Sequence, residues 1–100
     1  MKIQRTPEFK EWFGIQTEKS KAQIDARLKN IELYDHFGDH KSLGEQLLEL
    51  RWKNGRRVYY TIIKEEIVTL ILLGGFKNVQ QKNIKTARQI LERETFKTGL

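Results

Sequence analysis

Between Leu48 and Gly75, hydrophobic and polar positions sort themselves onto separate faces. In the first run Leu48, Leu50 and Trp52 share one parity, and Glu49, Arg51 and Lys53 share the other. In the second, Val58, Tyr60 and Ile62 alternate with Arg57, Tyr59 and Thr61. The third run, Ile67 to Leu73, is apolar at nearly every position, which predicts a central strand covered on both faces. Asn54-Gly55 predicts the first hairpin turn and Lys64-Glu65-Glu66 a second, weaker one. A two-residue loop at Asn54-Gly55 would set Arg57 opposite Trp52, among apolar side chains. A three-residue loop with a bulge, Asn54-Gly55-Arg56, sets Arg57 opposite Lys53 and Tyr59 opposite Arg51, and burial favours it. The expected result is one apolar sheet face and one face carrying Arg51, Lys53, Arg57 and Tyr59.

Helical periodicity flanks this stretch. Lys2 to Arg5 reads as a short edge strand. Thr6-Pro7-Glu8 then starts a helix, with Thr6 as N-cap, Pro7 at the first helical position and Glu8 complementing the dipole. Phe9, Trp12 and Phe13 form an aromatic stripe that reads as core. Thr17 caps a second helix from Glu18 to about Tyr34, with Ala22, Ile24, Leu28 and Ile31 inward. After Gly74-Gly75, Asn78 and Gln81 have capping-box spacing. A last helix is expected from about Val79 to Glu92, with Ile84, Ala87, Ile90 and Leu91 inward, and Arg93 to Leu100 fraying. The order β-α-α-β-β-β-α describes one α+β domain over residues 1–100. Its small antiparallel (mixed) sheet carries two N-terminal helices packed on it and a C-terminal helix.

Composition narrows the chemistry. The formal net charge is +6 and the isoelectric point about 9.7, which favours a polyanionic or acidic partner. The chain has no cysteine, so disulfides and zinc-thiolate sites are excluded, and a reducing cytoplasmic location is expected. The longest apolar run is far too short to span a membrane, and no membrane role is expected. Asp35-His36-Phe37-Gly38-Asp39-His40 gathers two imidazoles and two carboxylates, but in a glycine-containing connection where such residues are ordinary. No metal or cofactor is expected.

Several stretches together resemble a known family. They are Gly44 with Glu49-Leu50-Arg51, Arg57-Val58-Tyr59-Tyr60, Leu72-Leu73-Gly74-Gly75-Phe76-Lys77, and Gln80 with Ile84 and Ala87. Phe9, Trp12 and Phe13, the Ile24-Asp25-Ala26-Arg27-Leu28 helix and Gly38-Asp39-His40-Lys41 add to them. The pattern resembles the HigB-like "addiction module killer protein" group of the RelE/ParE superfamily, over nearly the whole chain. The resemblance implies a toxin of a type II toxin–antitoxin system that cleaves messenger RNA on the ribosome. It also implies a helix-turn-helix antitoxin as partner, in a complex expected to be a heterotetramer or larger. A ParE-like toxin that inhibits DNA gyrase by binding is the alternative on the same fold.

The residues supply a chemistry for the first reading. Metal-independent RNA cleavage needs a base for the ribose 2′-hydroxyl, an acid for the leaving 5′-oxygen, and cations for the phosphorane charge. Arg51 and Arg57 suit the last task, because a guanidinium grips phosphate oxygens and stays ionised. Lys77 adds a third cation; Lys53 or Lys77 could act as acid or base, and Glu49 could serve as base. Arg51, Arg57, Lys77 and Glu49 are therefore the candidate catalytic set. Lys53, Arg56, Tyr59, Gln80 and Lys82 are the candidate RNA-binding set, with Tyr59 able to stack on a base. Two positions depart from the ribosome-dependent RelE pattern: Glu49, where the resemblance implies a basic residue, and the region of Asn83, where it implies a tyrosine.

Overall fold

The computed structural model describes residues 1–64 and 67–98. Glu65 and Glu66 of the second expected turn lie outside the described residues. Strand β1 (Lys2–Arg5) leads into helices α1 (Pro7–Gly14) and α2 (Glu18–Tyr34). Strands β2 (His40–Gly44), β3 (Leu47–Arg51), β4 (Arg56–Ile63) and β5 (Val68–Phe76) follow. A 3-10 turn over Lys77–Val79 then opens helix α3 (Gln80–Thr98). The sheet order is β1-β5-β4-β3-β2, with β1 parallel to β5 and the other neighbours antiparallel.

The two N-terminal helices start where their caps require. The Thr6 hydroxyl accepts from the Phe9 amide and donates to the Leu72 carbonyl at 2.7 Å, so the cap of α1 also ties that helix to β5. Thr17 caps α2 through the Ser20 amide. Phe9, Ile24, Leu28 and Ile31 of these helices pack against Leu50, Val58, Tyr60 and Ile71 on one sheet face. Ala22 is exposed, so the inward stripe of α2 is narrower than its periodicity implied.

The other sheet face is the surprise. It is not a bare charged surface: Ala87, Ile90 and Leu91 of α3 cover it, packing on Leu47, Tyr59, Ile63, Leu70 and Leu72. Along β3 this face reads Leu47, Glu49, Arg51, apolar at one end and charged at the other. A bulge at Leu72 of β5, where Tyr59 pairs with Leu73 but Tyr60 with Ile71, shifts the alternation beyond it, so that Leu73 and Gly75 as well as Leu70 and Leu72 face α3.

The hairpin between β3 and β4 uses a three-residue loop, placed one residue earlier than expected. The Trp52 amide donates to the Arg56 carbonyl, leaving Lys53-Asn54-Gly55 as the loop. Asn54 Oδ1 accepts from the Arg56 amide, and Gly55 takes a φ of +98°, the left-handed conformation that glycine tolerates. Arg57 therefore pairs with Arg51 and Tyr59 with Glu49, not with Lys53 and Arg51. The displacement is two positions, so both faces keep their expected membership.

Two further elements differ from expectation. Strand β2 carries no alternating apolar pattern and was not foreseen; it joins β3 through Glu45-Gln46, both at positive φ (51° and 70°) without an Asn-Gly signature. The Thr61 hydroxyl donates to the Gln46 carbonyl at 2.8 Å and Arg88 donates to the Leu43 carbonyl at 2.8 Å, which hold that turn in place. Asn78 lies inside the 3-10 turn rather than capping a helix, and α3 continues to Thr98 instead of fraying after Glu92. Arg93 explains part of this extension, because its guanidinium grips the Glu8 carboxylate of α1 with both terminal nitrogens.

Gly74 is where α1 meets β5 most closely: a Cβ there would come within 2.2 Å of the Trp12 ring. That ring lies against Phe9, at 5.8 Å between centroids, and has little room to withdraw. Gly74→Ala is expected to lower the unfolding free energy by about 1–3 kcal/mol, the usual cost of overpacking a core, as read by urea denaturation.

Candidate nucleic-acid interface

At the charged end of the α3-covered face, Arg51 of β3, Arg57 of β4 and Gly75 of β5 stand in one row across the sheet. Like charges directly opposite each other across a strand pair repel. Glu49, two residues inward on β3, supplies the counter-charge. Its Oε1 lies 3.6 Å from Arg51 Nε and 3.8 Å from Arg57 Nε, and its Oε2 accepts a 2.7 Å hydrogen bond from Gln80 Nε2. Glu49 is 0% exposed and Arg57 7%. The inner edge of Arg57 is anchored separately, Nη1 donating to the Trp52 and Arg56 carbonyls at 3.1 and 2.9 Å.

The centre of this cluster is loosely bonded. Arg51 Nε and Arg57 Nε are buried and have no hydrogen-bond partner among the described residues, and Glu49 Oε1 and the Tyr59 hydroxyl face each other without a well-formed bond. The Tyr59 hydroxyl is held protonated, first by burial and then by the neighbouring Glu49 charge, with Arg57 opposing.

Helix α3 closes over the cluster because Gly75 has no side chain. A Cβ there would come 1.9 Å from Asn83 Nδ2, so glycine lets the first turns of α3 settle beside Arg57. The 3-10 turn before α3 is pinned to the hairpin loop, the Lys77 amide donating to the Gly55 carbonyl at 2.8 Å. The Lys77 stem would lie about 3.2 Å from a Cβ at Gly55, and Lys77 and Lys53 are both exposed at this hairpin tip.

The expected site residues are thus distributed unevenly. Arg51, Arg57, Glu49 and Gln80 come together, with Lys77 and Lys53 around the hairpin tip. Three expected roles need correction. Glu49 as a base exposed to substrate is replaced by a fully buried carboxylate clasped by α3. Tyr59 is 0% exposed beneath α3, so it offers no stacking surface. Arg56, expected to bind RNA, is buried on the opposite face, donating to Ser20 and Gln23 of α2 at 3.0 and 3.1 Å. Its guanidinium also lies 5.3 Å from the Trp52 ring, and burial lowers its pKa from the ordinary arginine value. Lys82 is exposed on α3. One residue was missed: Lys41 of β2, exposed and directly cross-strand from Glu49, adds a cation at the sheet edge in the row next to that of Arg51 and Arg57. Without β2 as a strand, nothing in the sequence placed it there.

No protein-family model matches the chain. The chain is 32% identical over 95 residues to an uncharacterized protein of Haemophilus influenzae, covering 92% of this chain and 94% of that one. The free-state structure of an E. coli RelE toxin mutant superimposes with a TM-score of 0.71 at 13% identity, covering 89% of this chain and 96% of that one. The toxin in the intact E. coli RelBE toxin–antitoxin complex gives 0.65 at 14% identity, over 75% and 94% of the respective chains. A RelBE toxin–antitoxin complex of Mycobacterium tuberculosis gives 0.60 at 16% identity, over 75% and 95%. The fold is that of RelE.

Gln80 of α3 supplies a hydrogen bond to the buried Glu49 carboxylate. Gln80→Ala is expected to cost about 1.5–3 kcal/mol of stability, the range for a hydrogen bond to a charged group, as measured by chemical denaturation.

Proposed function

We propose that this chain, a member of the family that includes the Haemophilus influenzae protein and built on the RelE fold, is the toxin of a type II toxin–antitoxin pair that acts on RNA. The observation that carries the RNA reading is the Arg51–Arg57 pair held side by side around a buried counter-ion, with Lys41, Lys53 and Lys77 exposed nearby. Support for an antitoxin partner comes from the RelE-fold toxins of E. coli and M. tuberculosis, which are held in toxin–antitoxin complexes. A helix-turn-helix antitoxin, in an assembly of two or more of each chain, fits this reading. So does a target in the cytoplasm, messenger RNA on the ribosome.

In the proposed reaction the ribose 2′-oxygen attacks the adjacent phosphorus. A P–O2′ bond forms and the P–O5′ bond breaks, leaving a cyclic phosphate and a free 5′-hydroxyl. Arg51, whose side chain is 38% exposed, faces the phosphate, and Arg57 reinforces the field behind it. The exposed lysines at the hairpin tip, Lys53 and Lys77, are the groups able to carry protons to and from solvent. Glu49 positions the two guanidinium groups rather than touching the substrate. Gln80 and Lys82 line the approach along α3.

A second reading rests on the helix. The α3 residues beside the cluster are Gln80 and Asn83, neither of which titrates. That favours a toxin that binds its target without chemistry, as a gyrase inhibitor would. The two readings separate on induction: primer extension detects cut messenger RNA in one case, and DNA-damage signalling with intact RNA marks the other. In a ribosome-loaded cleavage assay, Arg51→Ala is expected to reduce cutting by at least about a hundredfold while the protein stays folded. Undiminished cutting would remove Arg51 from the site.

A further inference from the structure

We infer that Glu49 is an electrostatic brake on the two arginines, holding their affinity for RNA phosphate below what the guanidinium pair would otherwise reach. This rests on the RNA-directed reading above.

The geometry of the ion pairs separates neutralising from locking. A structural arginine–carboxylate pair ordinarily closes with short, often bidentate hydrogen bonds. Here Oε1 stands 3.6 and 3.8 Å from the two Nε atoms, outside hydrogen-bond reach but close enough for strong attraction. The carboxylate faces both cations through Oε1, while its Oε2 accepts the 2.7 Å hydrogen bond from Gln80. It is held by α3 and aimed at the arginines. One negative charge against two positive leaves a net single positive charge at a place built from two guanidinium groups.

The position of the charge makes it act on incoming RNA without contact. Arg51 is 38% exposed, so a phosphate can meet its outer edge. Glu49, 0% exposed, sits behind the guanidinium, where no competing water screens it fully. A phosphate approaching Arg51 therefore feels the carboxylate's repulsion through the protein. The same carboxylate relieves repulsion between the two cross-strand arginines, so Glu49 serves assembly of the site at the expense of its grip.

Glu49→Gln separates these effects, because it keeps shape and removes charge. The probe is a single-stranded RNA oligonucleotide with 2′-O-methyl riboses, which binds but cannot be cut. The variant is expected to bind it about tenfold more tightly than wild type at low salt. The logarithmic salt slope is expected to steepen by about 0.7, one additional neutralised phosphate. A purely structural Glu49 predicts weaker binding and an unchanged or shallower slope. If Glu49→Gln does not fold, as judged by circular dichroism, the comparison is Arg57→Met against Arg57→Met/Glu49→Gln. This removes the buried pair as a unit, and the double variant should bind more tightly than the single. Equal or weaker binding by the charge-removed member of the folded pair overturns the brake while leaving the RNA reading intact. If wild type shows no binding that Arg51→Ala weakens, the RNA reading itself falls, and the brake with it.

Discussion

Two arginines facing each other across adjacent strands repel, and the site in this molecule exists because a buried carboxylate holds them together. Glu49 can do so only while it is itself held, and its holder is Gln80 at the start of α3. That contact requires α3 to lie close on the sheet, which the missing side chain of Gly75 allows. The charged cluster thus ties β3, β4 and β5 to the C-terminal helix. Breaking a buried ion pair by removing one member costs about 3–5 kcal/mol, a large share of the about 5–15 kcal/mol that a domain of this kind has in total.

Arg56 and Arg57 show how one step along a strand sends neighbouring side chains to opposite faces of the sheet. Arg57 points to the α3 side and joins the carboxylate; Arg56 points to the α2 side and disappears beneath the helix. There it shares the Trp52 ring with Arg27, whose guanidinium lies 4.5 Å from the ring. Arg27 also donates to the Phe37, Asp39 and Arg51 carbonyls at 3.1, 2.6 and 2.9 Å. The connection that carries two histidines and two aspartates is therefore organised by an arginine, through its backbone oxygens. Among the described residues no cluster suited to a metal ion is present.

Much of this was legible in the chain because the local signals agree with the tertiary ones. Thr6-Pro7 and Thr17 mark the helix starts, and strict alternation at Leu48, Leu50, Val58 and Tyr60 separates the sheet faces. Legibility failed where an element is stabilised from outside itself. Strand β2 has little apolar content and a turn without glycine at Glu45-Gln46, and it is held by Thr61 and Arg88 from elsewhere in the chain. The polar C-terminal half of α3 similarly depends on Arg93 reaching Glu8, 85 positions away. The burial of Tyr59 and Glu49 was hidden for the same reason. Parity places both on a face with Arg51 and Arg57, but only the docking of α3 decides which of them water can reach.

The parallel pairing of β1 with β5, fastened by the Thr6 hydroxyl on the Leu72 carbonyl, joins a strand that precedes α1 to one that follows three other strands in the chain. Gln80, which steadies the site's carboxylate, follows later still. While the chain is being translated, β1 has no sheet partner and the arginines have no finished setting. The charged cluster therefore comes together only after β5 and the start of α3 have emerged from the ribosome. A chain that stops before β5 lacks the means to assemble it, so the order of strands in the sheet makes the earliest strand wait for the latest one.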